Sequence, residues 1–404
     1  MQQVVVAKPY TFVPPHRGTL WPSLLRALAL RRILQGYGVV EVECRGVARL
    51  RASIDAGHGI VLAPNHCRPV DPFVVAILGR DVGRHLFIMA SWHLFMQSRL
   101  KRFLLPRAGV FSIYREGLDR DALNCAVEIL TEARRPLVVF PEGAISRHND
   151  RLSPMMDGVA LMARAAARRR SAAGRGFVVV HPVAIRYLFT GDAEAVVAPI
   201  FDDLERGLTW EPAVGEPAIS RIARIASAVL ALKEMAYVGG PGAGSLPDRV
   251  QRLIDHLLCP LEREWLRAGR EGGVIARVKA LRSAILKDMV DGALADDETA
   301  RRWRHLRDVQ LAQQLSLYPA DYLAGTPPPE RVVEMAEKLE EDLTDDVRRI
   351  SPFRAIVDVG EPIEVPPDRS RGANGDGIMS AVRSGIQRML AASLAERSPA
   401  AAML

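Results

Sequence analysis

Residues 65–72 (Asn-His-Cys-Arg-Pro-Val-Asp-Pro) are the stretch from which the fold of this chain can be read. They join an apolar run at residues 59–63 to a helix-like run at residues 73–78. In one continuous helix, His66 and Asp71 would point about 140° apart and could not share a face. Their side chains can meet if His66 lies in a loop after a strand and Asp71 lies where the next helix begins. The spacing therefore predicts a strand-loop-helix unit with both side chains at its turn.

The chemistry of this turn has two interpretations. An aspartate held beside His66 can accept a hydrogen bond from one imidazole nitrogen, which leaves the other nitrogen as a proton acceptor. Pro72 suits the first helical position, because the N–H that it lacks would have no partner there. However, Asp-Pro before an apolar helix is also a common N-cap, and capping alone would account for Asp71. The octapeptide by itself leaves catalysis and capping open.

Short β runs alternate with helical segments through residues 41–203. We expect strands at residues 39–44, 59–63, 85–90, 109–113, 137–140, 177–185 and 195–201. We expect helices between them at residues 72–79, 92–104, 119–134 and 157–170. This alternation predicts an α/β fold with a mixed, largely parallel central sheet flanked by helices.

The pattern divides the chain into four parts. Residues 1–40 are interpreted as an N-terminal arm and an amphipathic helix (19–37), and residues 41–203 as the α/β core. Residues 204–350 show only helical periodicity and are interpreted as a large all-helical insertion, although a separate second domain is an alternative. Residues 351–404 are expected to supply the final core strand and a C-terminal helix behind an Asn/Gly/Asp-rich loop. The acidic run at 330–346 is interpreted as a solvated helix face.

Composition and charge restrict the function classes. The chain of 404 residues has a net charge of +7, which favours acidic partners: an anionic membrane surface, phosphorylated molecules, an acidic carrier protein or nucleic acid. Nucleic acid is disfavoured, because no basic-aromatic motif accompanies the charge. Four isolated cysteines indicate a reducing compartment and no structural zinc. No metal is expected, since His148 and Asp150 are too few candidate ligands. The sequence has no run of about 18 apolar residues, so we expect no membrane-spanning helix.

Three further segments carry candidate site residues. Residues 109–115 (GVFSIYR) deliver Arg115 at the carboxyl end of a predicted strand, where a guanidinium can bind phosphate. Residues 140–143 (FPEG) form a predicted turn that presents Glu142, and Gly143 allows close backbone approach. Residues 180–183 (VHPV) place Pro182 in a strand, which predicts an edge position or a bulge.

In this order and spacing, the four segments resemble the glycerolipid acyltransferase family, the 1-acylglycerol-3-phosphate acyltransferase-like superfamily marked by an H-x4-D motif. The resemblance implies transfer of a fatty acyl group from acyl-CoA or acyl-carrier protein, used as co-substrate without a further cofactor, to the hydroxyl of a lysophospholipid or related lipid alcohol. It also implies a catalytic pair, His66 and Asp71, and substrate-binding residues. The substrate-binding candidates are Asn65, Arg115, Glu142, Gly143 and Arg147.

The resemblance assigns a role to several of these candidates. Arg115 would anchor an acceptor phosphate, and Glu142 would orient the acceptor hydroxyl or the loop. The N–H of Gly143 would stabilise charge on the thioester oxygen. The family commonly continues its third motif as E-G-T-R-S, whereas this chain has Ala144 and Ile145 after Gly143. Arg147 would then replace the missing arginine two positions later, or the acceptor lacks a phosphate.

The sequence also permits two alternatives to this mechanism. Cys67 next to His66 would permit a Cys-His acyl-enzyme, although sequence neighbours rarely face each other. A non-catalytic lipid-binding or membrane scaffolding protein with a degenerate site is the alternative from another function class. For the enzyme we expect a cytoplasmic location, peripheral on the inner face of the membrane. The acceptor headgroup, the acyl chain length, the donor and the oligomeric state are left undetermined.

Overall fold

The computed structural model describes residues 8–117, 119–267, 272–289, 294–368 and 377–396. Residues 1–7 of the expected arm and the Asn/Gly/Asp-rich segment at 369–376 lie outside the described residues. The strands are β1 (Val39–Arg45), β2 (Gly59–Pro64), β3 (Phe87–Ser91), β4 (Val110–Ile113), β5 (Leu137–Val138), β6 (Val178–Phe189), β7 (Phe353–Val359) and β8 (Ile363–Glu364). The helices are α1 (Leu20–Gly36), α2 (Val47–Asp55), α3 (Asp71–Asp81), α4 (His93–Met96), α5 (Arg99–Arg107), α6 (Arg120–Glu132), α7 (Gly158–Ala172), α8 (Ala193–Gly207), α9 (Ala218–Val238), α10 (Leu246–Trp265), α11 (Val274–Leu286), α12 (Asp296–Leu315), α13 (Pro329–Thr344) and α14 (Ile378–Ala395).

The strands form one mixed, mostly parallel sheet, as the sequence predicts. Their order is β1-β7-β6-β2-β5-β3-β4, with β8 paired to β6. Strands β6, β2, β5, β3 and β4 are mutually parallel, whereas β7 is antiparallel to β6 and parallel to β1. The carboxyl ends of five parallel strands therefore lie along one edge of the sheet, where α/β proteins place their ligands.

The described residues of 11–115, 119–191 and 349–396 form one compact unit that contains this sheet. Every residue of β2 is buried, because helices cover both faces of the central strands. Gly59 begins β2 where a Cβ atom would lie 2.3 Å from the carbonyl oxygen of Leu130 in α6, so only glycine fits there. The expected helix at 92–104 is divided into α4 and α5, since the Ser98 side chain caps α5 by accepting from the N–H of Lys101.

Pro182 contradicts the expectation of an edge strand or a bulge. It lies in β6, in the interior of the sheet, with Ala63 of β2 as its parallel neighbour. On the other side, β6 pairs with β7 from Val183 onward and with β8 only at Val179 and Val180. Pro182 occupies the gap between these two partners, and its carbonyl oxygen accepts from Gly360 N–H at 2.8 Å. The missing N–H is tolerated because no ladder partner faces it.

The described residues of 192–348, together with 8–10, 116 and 117, form a second compact unit, whose regular secondary structure is helical. The predicted strand at 195–201 is wrong, because these residues belong to α8. The Asp192 side chain caps α8 by accepting from Ala195 N–H at 3.1 Å. Val197, Phe201 and Leu204 are buried at helical spacing. None of the described helices is both long and apolar enough to cross a bilayer.

Buried ion pairs connect successive helices of this unit. An arginine near the start of each of α9, α10 and α11 reaches a glutamate near the end of the preceding helix, at 2.6 Å each time. The pairs are Arg221–Glu205, Arg249–Glu234 and Arg277–Glu262. Because removal of one partner from a buried pair costs about 3–5 kcal/mol, these pairs constrain which helices pack together.

The acidic run at 330–346 is not the solvated helix face that the sequence suggested. In α13, Glu330, Glu334, Glu337 and Glu340 are buried. The hydroxyl of Tyr322 donates to Glu334, and the guanidinium of Arg348 pairs with Glu340. The interpretation failed because the segments that flank α13 in sequence supply hydrogen-bond donors to these carboxylates.

Candidate active site

The structure brings His66 and Asp71 together at the carboxyl end of β2. The Nδ1 atom of His66 lies 2.8 Å from Oδ2 of Asp71. Asp71 is fully buried, and the His66 side chain keeps 16% of its surface exposed. Because a carboxylate can only accept, Nδ1 carries the ring proton and Nε2 keeps a lone pair. The arrangement can therefore take up a proton at Nε2.

The carboxylate of Asp71 is held by donors from three directions. Its Oδ2 atom accepts from the backbone N–H groups of Cys67 at 2.7 Å and Arg68 at 2.9 Å, as well as from His66. Its Oδ1 atom accepts from the hydroxyl of Tyr187 at 2.6 Å. Such donors stabilise a buried negative charge. The capping interpretation is wrong, since the donors precede α3 and no side chain caps that helix.

Tyr187 is a site residue that the sequence analysis missed. It is fully buried in β6, 116 positions from Asp71 in sequence. Burial, and then the charge of Asp71, raises the pKa of Tyr187 well above its usual value, so its hydroxyl stays protonated and donates. No local signal marks it, because a tyrosine in an apolar strand is typical of any sheet core.

Glu142 and its neighbours fix the backbone and the ring of His66. The carboxylate of Glu142 accepts from His66 N–H and from Ser153 N–H, both at 2.7 Å. Ser146 N–H donates to the carbonyl oxygen of His66 at 2.7 Å, and the Phe140 ring stacks on the imidazole with centroids 4.2 Å apart. Burial raises the pKa of Glu142, although both backbone hydrogen bonds act in the opposite direction. Of the two roles expected for Glu142, the contacts favour orientation of the loop.

The polar groups of Gly143 and Asn65 form hydrogen bonds within the protein. The N–H of Gly143 donates to the carbonyl oxygen of Phe140 at 3.1 Å, so it is not available for charge on a thioester oxygen. Gly143 has φ +67°, which explains the glycine there. The side-chain amide of Asn65 donates to the carbonyl of Ile185 at 2.9 Å and accepts from its N–H at 2.7 Å. Asn65 therefore continues the pairing of β2 with β6.

Asn149 forms the same pair of hydrogen bonds with β6, two residues after Ile185. Its side chain donates to the carbonyl oxygen of Tyr187 at 2.5 Å and accepts from Tyr187 N–H at 2.6 Å. It thereby fixes the backbone of the residue whose hydroxyl contacts Asp71. The sequence analysis did not single out Asn149, because an asparagine in a polar loop carries no distinguishing pattern.

Cys67 is placed poorly for a Cys-His acyl-enzyme. Its side chain is buried, and its Sγ atom lies 3.8 Å from Oδ1 of Asp71. A carboxylate at this distance opposes ionisation of the thiol, whereas a nucleophilic cysteine needs a cationic neighbour. Moreover, Nδ1 of His66 already contacts Asp71.

The two candidate arginines lie at different points of the site. Arg115 follows β4, which is three strands from β2 in the sheet. With a spacing of about 4.8 Å between strands, this corresponds to about 14 Å, a gap that a substrate would have to bridge. Trp92 and Tyr114, after β3 and β4, pack edge to face at this edge with centroids 6.4 Å apart.

Arg147 directly follows Ser146, whose N–H holds the carbonyl of His66. It has φ +60°, a left-handed conformation that is uncommon for a residue with a side chain and is often found at functional sites. Neighbouring His148 is buried and donates its N–H to the Ser146 hydroxyl at 3.2 Å. Across the described ranges, no group of three or more His, Cys, Asp or Glu residues is arranged to hold a metal ion.

Comparison with known proteins finds a family model that matches part of the chain. Residues 41–186 match the family model described as Acyltransferase. The match includes His66, Asp71, Arg115 and Glu142 and ends one residue before Tyr187. No curated protein is significantly similar to the chain. Residues 41–186 therefore form a domain that matches the Acyltransferase family, whose members transfer acyl groups.

Proposed function

We propose that the protein transfers a fatty acyl group from a thioester, either acyl-CoA or acyl-carrier protein, to the hydroxyl of a lysophospholipid or related lipid alcohol. The match of residues 41–186 to the Acyltransferase family model supports acyl transfer. The observation that carries the mechanism is the hydrogen bond of 2.8 Å between His66 and the buried carboxylate of Asp71. An alcohol is a poor nucleophile at neutral pH, and this pair supplies the base that it needs.

In the proposed step, Nε2 of His66 removes the proton of the acceptor hydroxyl while its oxygen bonds to the thioester carbonyl carbon. The carbon–sulfur bond then breaks, and the imidazolium of His66 gives this proton to the departing thiolate. The products are an ester and a free thiol, with no acyl-enzyme. Asp71 stabilises the imidazolium during the reaction. Such general-base assistance typically contributes about 10²–10⁴-fold.

The acceptor would lie along the carboxyl edge of the sheet, with its hydroxyl at His66. Arg115, after β4, and Arg147, next to Ser146, carry guanidinium groups that suit an acidic headgroup. Glu142 and Tyr187 would act indirectly. Glu142 accepts a hydrogen bond from the backbone N–H of His66, and Tyr187 donates one to Asp71. We assign them positioning roles.

The proposal predicts acceptor-dependent thiol release. Purified protein incubated with palmitoyl-CoA should release free CoA, measured with a thiol reagent, only when a lysophospholipid or lipid alcohol is added. A panel that varies the acceptor headgroup, with acyl-carrier protein as a second donor, identifies the substrates. Thiol release without acceptor would instead indicate a thioesterase. Lipid binding without release from either donor would favour the non-catalytic alternative.

Replacing Tyr187 by phenylalanine should move the pH profile of kcat/KM. Without the hydroxyl, Asp71 keeps more of its negative charge and stabilises the imidazolium of His66 more strongly. The acid limb of the profile should therefore move upward, by up to about one pH unit for 1.4 kcal/mol of changed interaction. Loss of a hydrogen bond to a charged group should also lower the stability by about 1.5–3 kcal/mol.

Tyr318→Phe provides the matched control for this prediction. The Tyr318 hydroxyl donates to Asp342 at 2.6 Å, and burial, followed by the charge of Asp342, raises the pKa of Tyr318 in the same way. Tyr318 lies in the helical unit. This variant should lose stability without any change in the pH profile. If Tyr187→Phe behaved identically, Tyr187 would have a structural role only.

A further inference from the structure

Helix α1 presents leucines on both its buried and its outer side. Leu30 and Leu34 are buried, as in any docked helix. On the other side, Leu20 is 77%, Leu24 44% and Leu28 64% exposed. These three are spaced by four residues, so they form one stripe along the helix. The stripe continues at Arg31 and Arg32, which are both exposed.

Helix α5 extends this exposed apolar stripe. Leu100 is 65% and Phe103 45% exposed. Phe103 contacts Trp21 of α1 edge to face, with ring centroids 6.1 Å apart, and the guanidinium of Arg107 lies 3.5 Å above the Phe103 ring. Both helices belong to the compact unit that contains the sheet. The exposed side chains of α1 and α5 are named the α1–α5 surface: Leu20, Leu24, Leu28, Leu100 and Phe103.

The charged side chains of α1 and α5 all have one sign. The sequences of α1 and α5 contain no aspartate or glutamate. They contain seven cations: Arg26, Arg31, Arg32, Arg99, Lys101, Arg102 and Arg107. Among the described residues, none of these seven forms an ion pair with a carboxylate. Their charge is therefore available to an external anionic partner.

We infer that the α1–α5 surface docks on the anionic surface of a lipid bilayer. Exposed leucines and a phenylalanine would enter the boundary between headgroups and acyl chains, and the surrounding cations would contact acidic headgroups. This inference rests on the proposed function, since a lipid acceptor lies in a membrane. A bilayer fits better than an acidic protein, because the cations are spread along two helices and the aliphatic side chains between them need an apolar phase.

Helix α9 offers a surface of similar hydrophobicity and different charge. Leu232 is 54%, Met235 57% and Val238 56% exposed. Most charged side chains of this helix form ion pairs. Arg221 and Arg224 pair with Glu205, and Glu234 pairs with Arg249. α9 therefore lacks the excess of cations that an anionic bilayer would attract, and it serves as a control surface.

The inference is tested by flotation of the full chain with lipid vesicles in the absence of substrate. The protein should bind vesicles of phosphatidylcholine mixed with phosphatidylglycerol, bind phosphatidylcholine alone far more weakly, and dissociate at high salt. Arg31→Gln/Arg32→Gln should reduce binding to the mixed vesicles about tenfold or more. Leu20→Ser/Leu24→Ser/Leu28→Ser should reduce it by about tenfold or more as well.

The control variant Leu232→Ser/Met235→Ser should bind like the unaltered protein. All substituted side chains are exposed, so thermal unfolding should change little. Unchanged binding by both α1 variants, or equal loss in the α9 variant, would overturn the inference. So would a defect confined to reactions with acyl-carrier protein, which would assign the surface to that donor. Vesicle binding by a protein that transfers no acyl group would support the docking surface and reject the proposed function alone.

Discussion

Replacing His66 by alanine should lower kcat/KM for acyl transfer by about 10²–10⁴-fold, because the acceptor hydroxyl would lose its base. Within the described site, Nδ1 of His66 is engaged by Asp71 and Nε2 is the nitrogen left to accept a proton. The fold should survive, since the backbone hydrogen bonds that join His66 to Glu142 and Ser146 do not involve the imidazole. Acceptor-dependent thiol release and thermal unfolding measure the two effects.

His85→Ala is the matched control for this prediction. His85 is half-buried in the same compact unit, and its Nε2 atom lies 2.9 Å from the Ser23 hydroxyl. It precedes β3 and so lies near the opposite edge of the sheet. This variant should retain activity. A His66→Ala protein as active as the control would exclude His66 as the base and would return attention to Cys67.

The features that the sequence predicts well are those set by local spacing. His66 and Asp71 are five positions apart, and the apolar runs on either side place the turn between them. The structure has that strand, that loop and that helix in β2 and α3. The alternation of strand and helix patterns likewise predicts a parallel sheet, because a right-handed crossover is the usual connection between parallel strands.

The features that the sequence misses depend on contacts between distant residues. Asp71 meets Tyr187 across 116 positions, and Asn65 meets Ile185 across 120. Nothing in a single sequence shows which strand will lie beside another. The same limit explains Gly143, whose N–H was expected to contact substrate. Whether a backbone donor is already engaged depends on the turn that forms, and here Phe140 accepts that hydrogen bond.

The helical unit shows how tertiary context overrides local pattern. The β-branched Val196 and Val197 suggested a strand, but the cap at Asp192 and the apolar spacing of the following residues produce α8. The acidic composition of α13 suggested a solvated face, but Tyr322 and Arg348, in the segments on either side of this helix, donate to Glu334 and Glu340. Propensity and charge are weak guides where neighbouring segments supply the missing partners.

Replacing Asp71 by asparagine should also lower kcat/KM strongly, by about 10²–10⁴-fold, but for a different reason. The amide oxygen can take the place of Oδ2 and still accept from His66, Cys67 and Arg68, so the ring orientation is kept. The amide NH₂ then faces Tyr187, whose hydroxyl must turn to accept. The negative charge that stabilises the imidazolium is lost. Stability should fall by about 1–3 kcal/mol, because charge-assisted hydrogen bonds become neutral ones.

A double-mutant cycle separates this catalytic effect from the structural one. Without His66 there is no imidazolium to stabilise, so Asp71→Asn in the His66→Ala background should cause no further loss of activity. The loss of stability should persist there, since the Cys67, Arg68 and Tyr187 hydrogen bonds to residue 71 do not depend on the ring. Additive losses of activity in the double variant would show that the two residues act independently. The mechanism proposed for the pair would then be wrong, even with their side chains in contact.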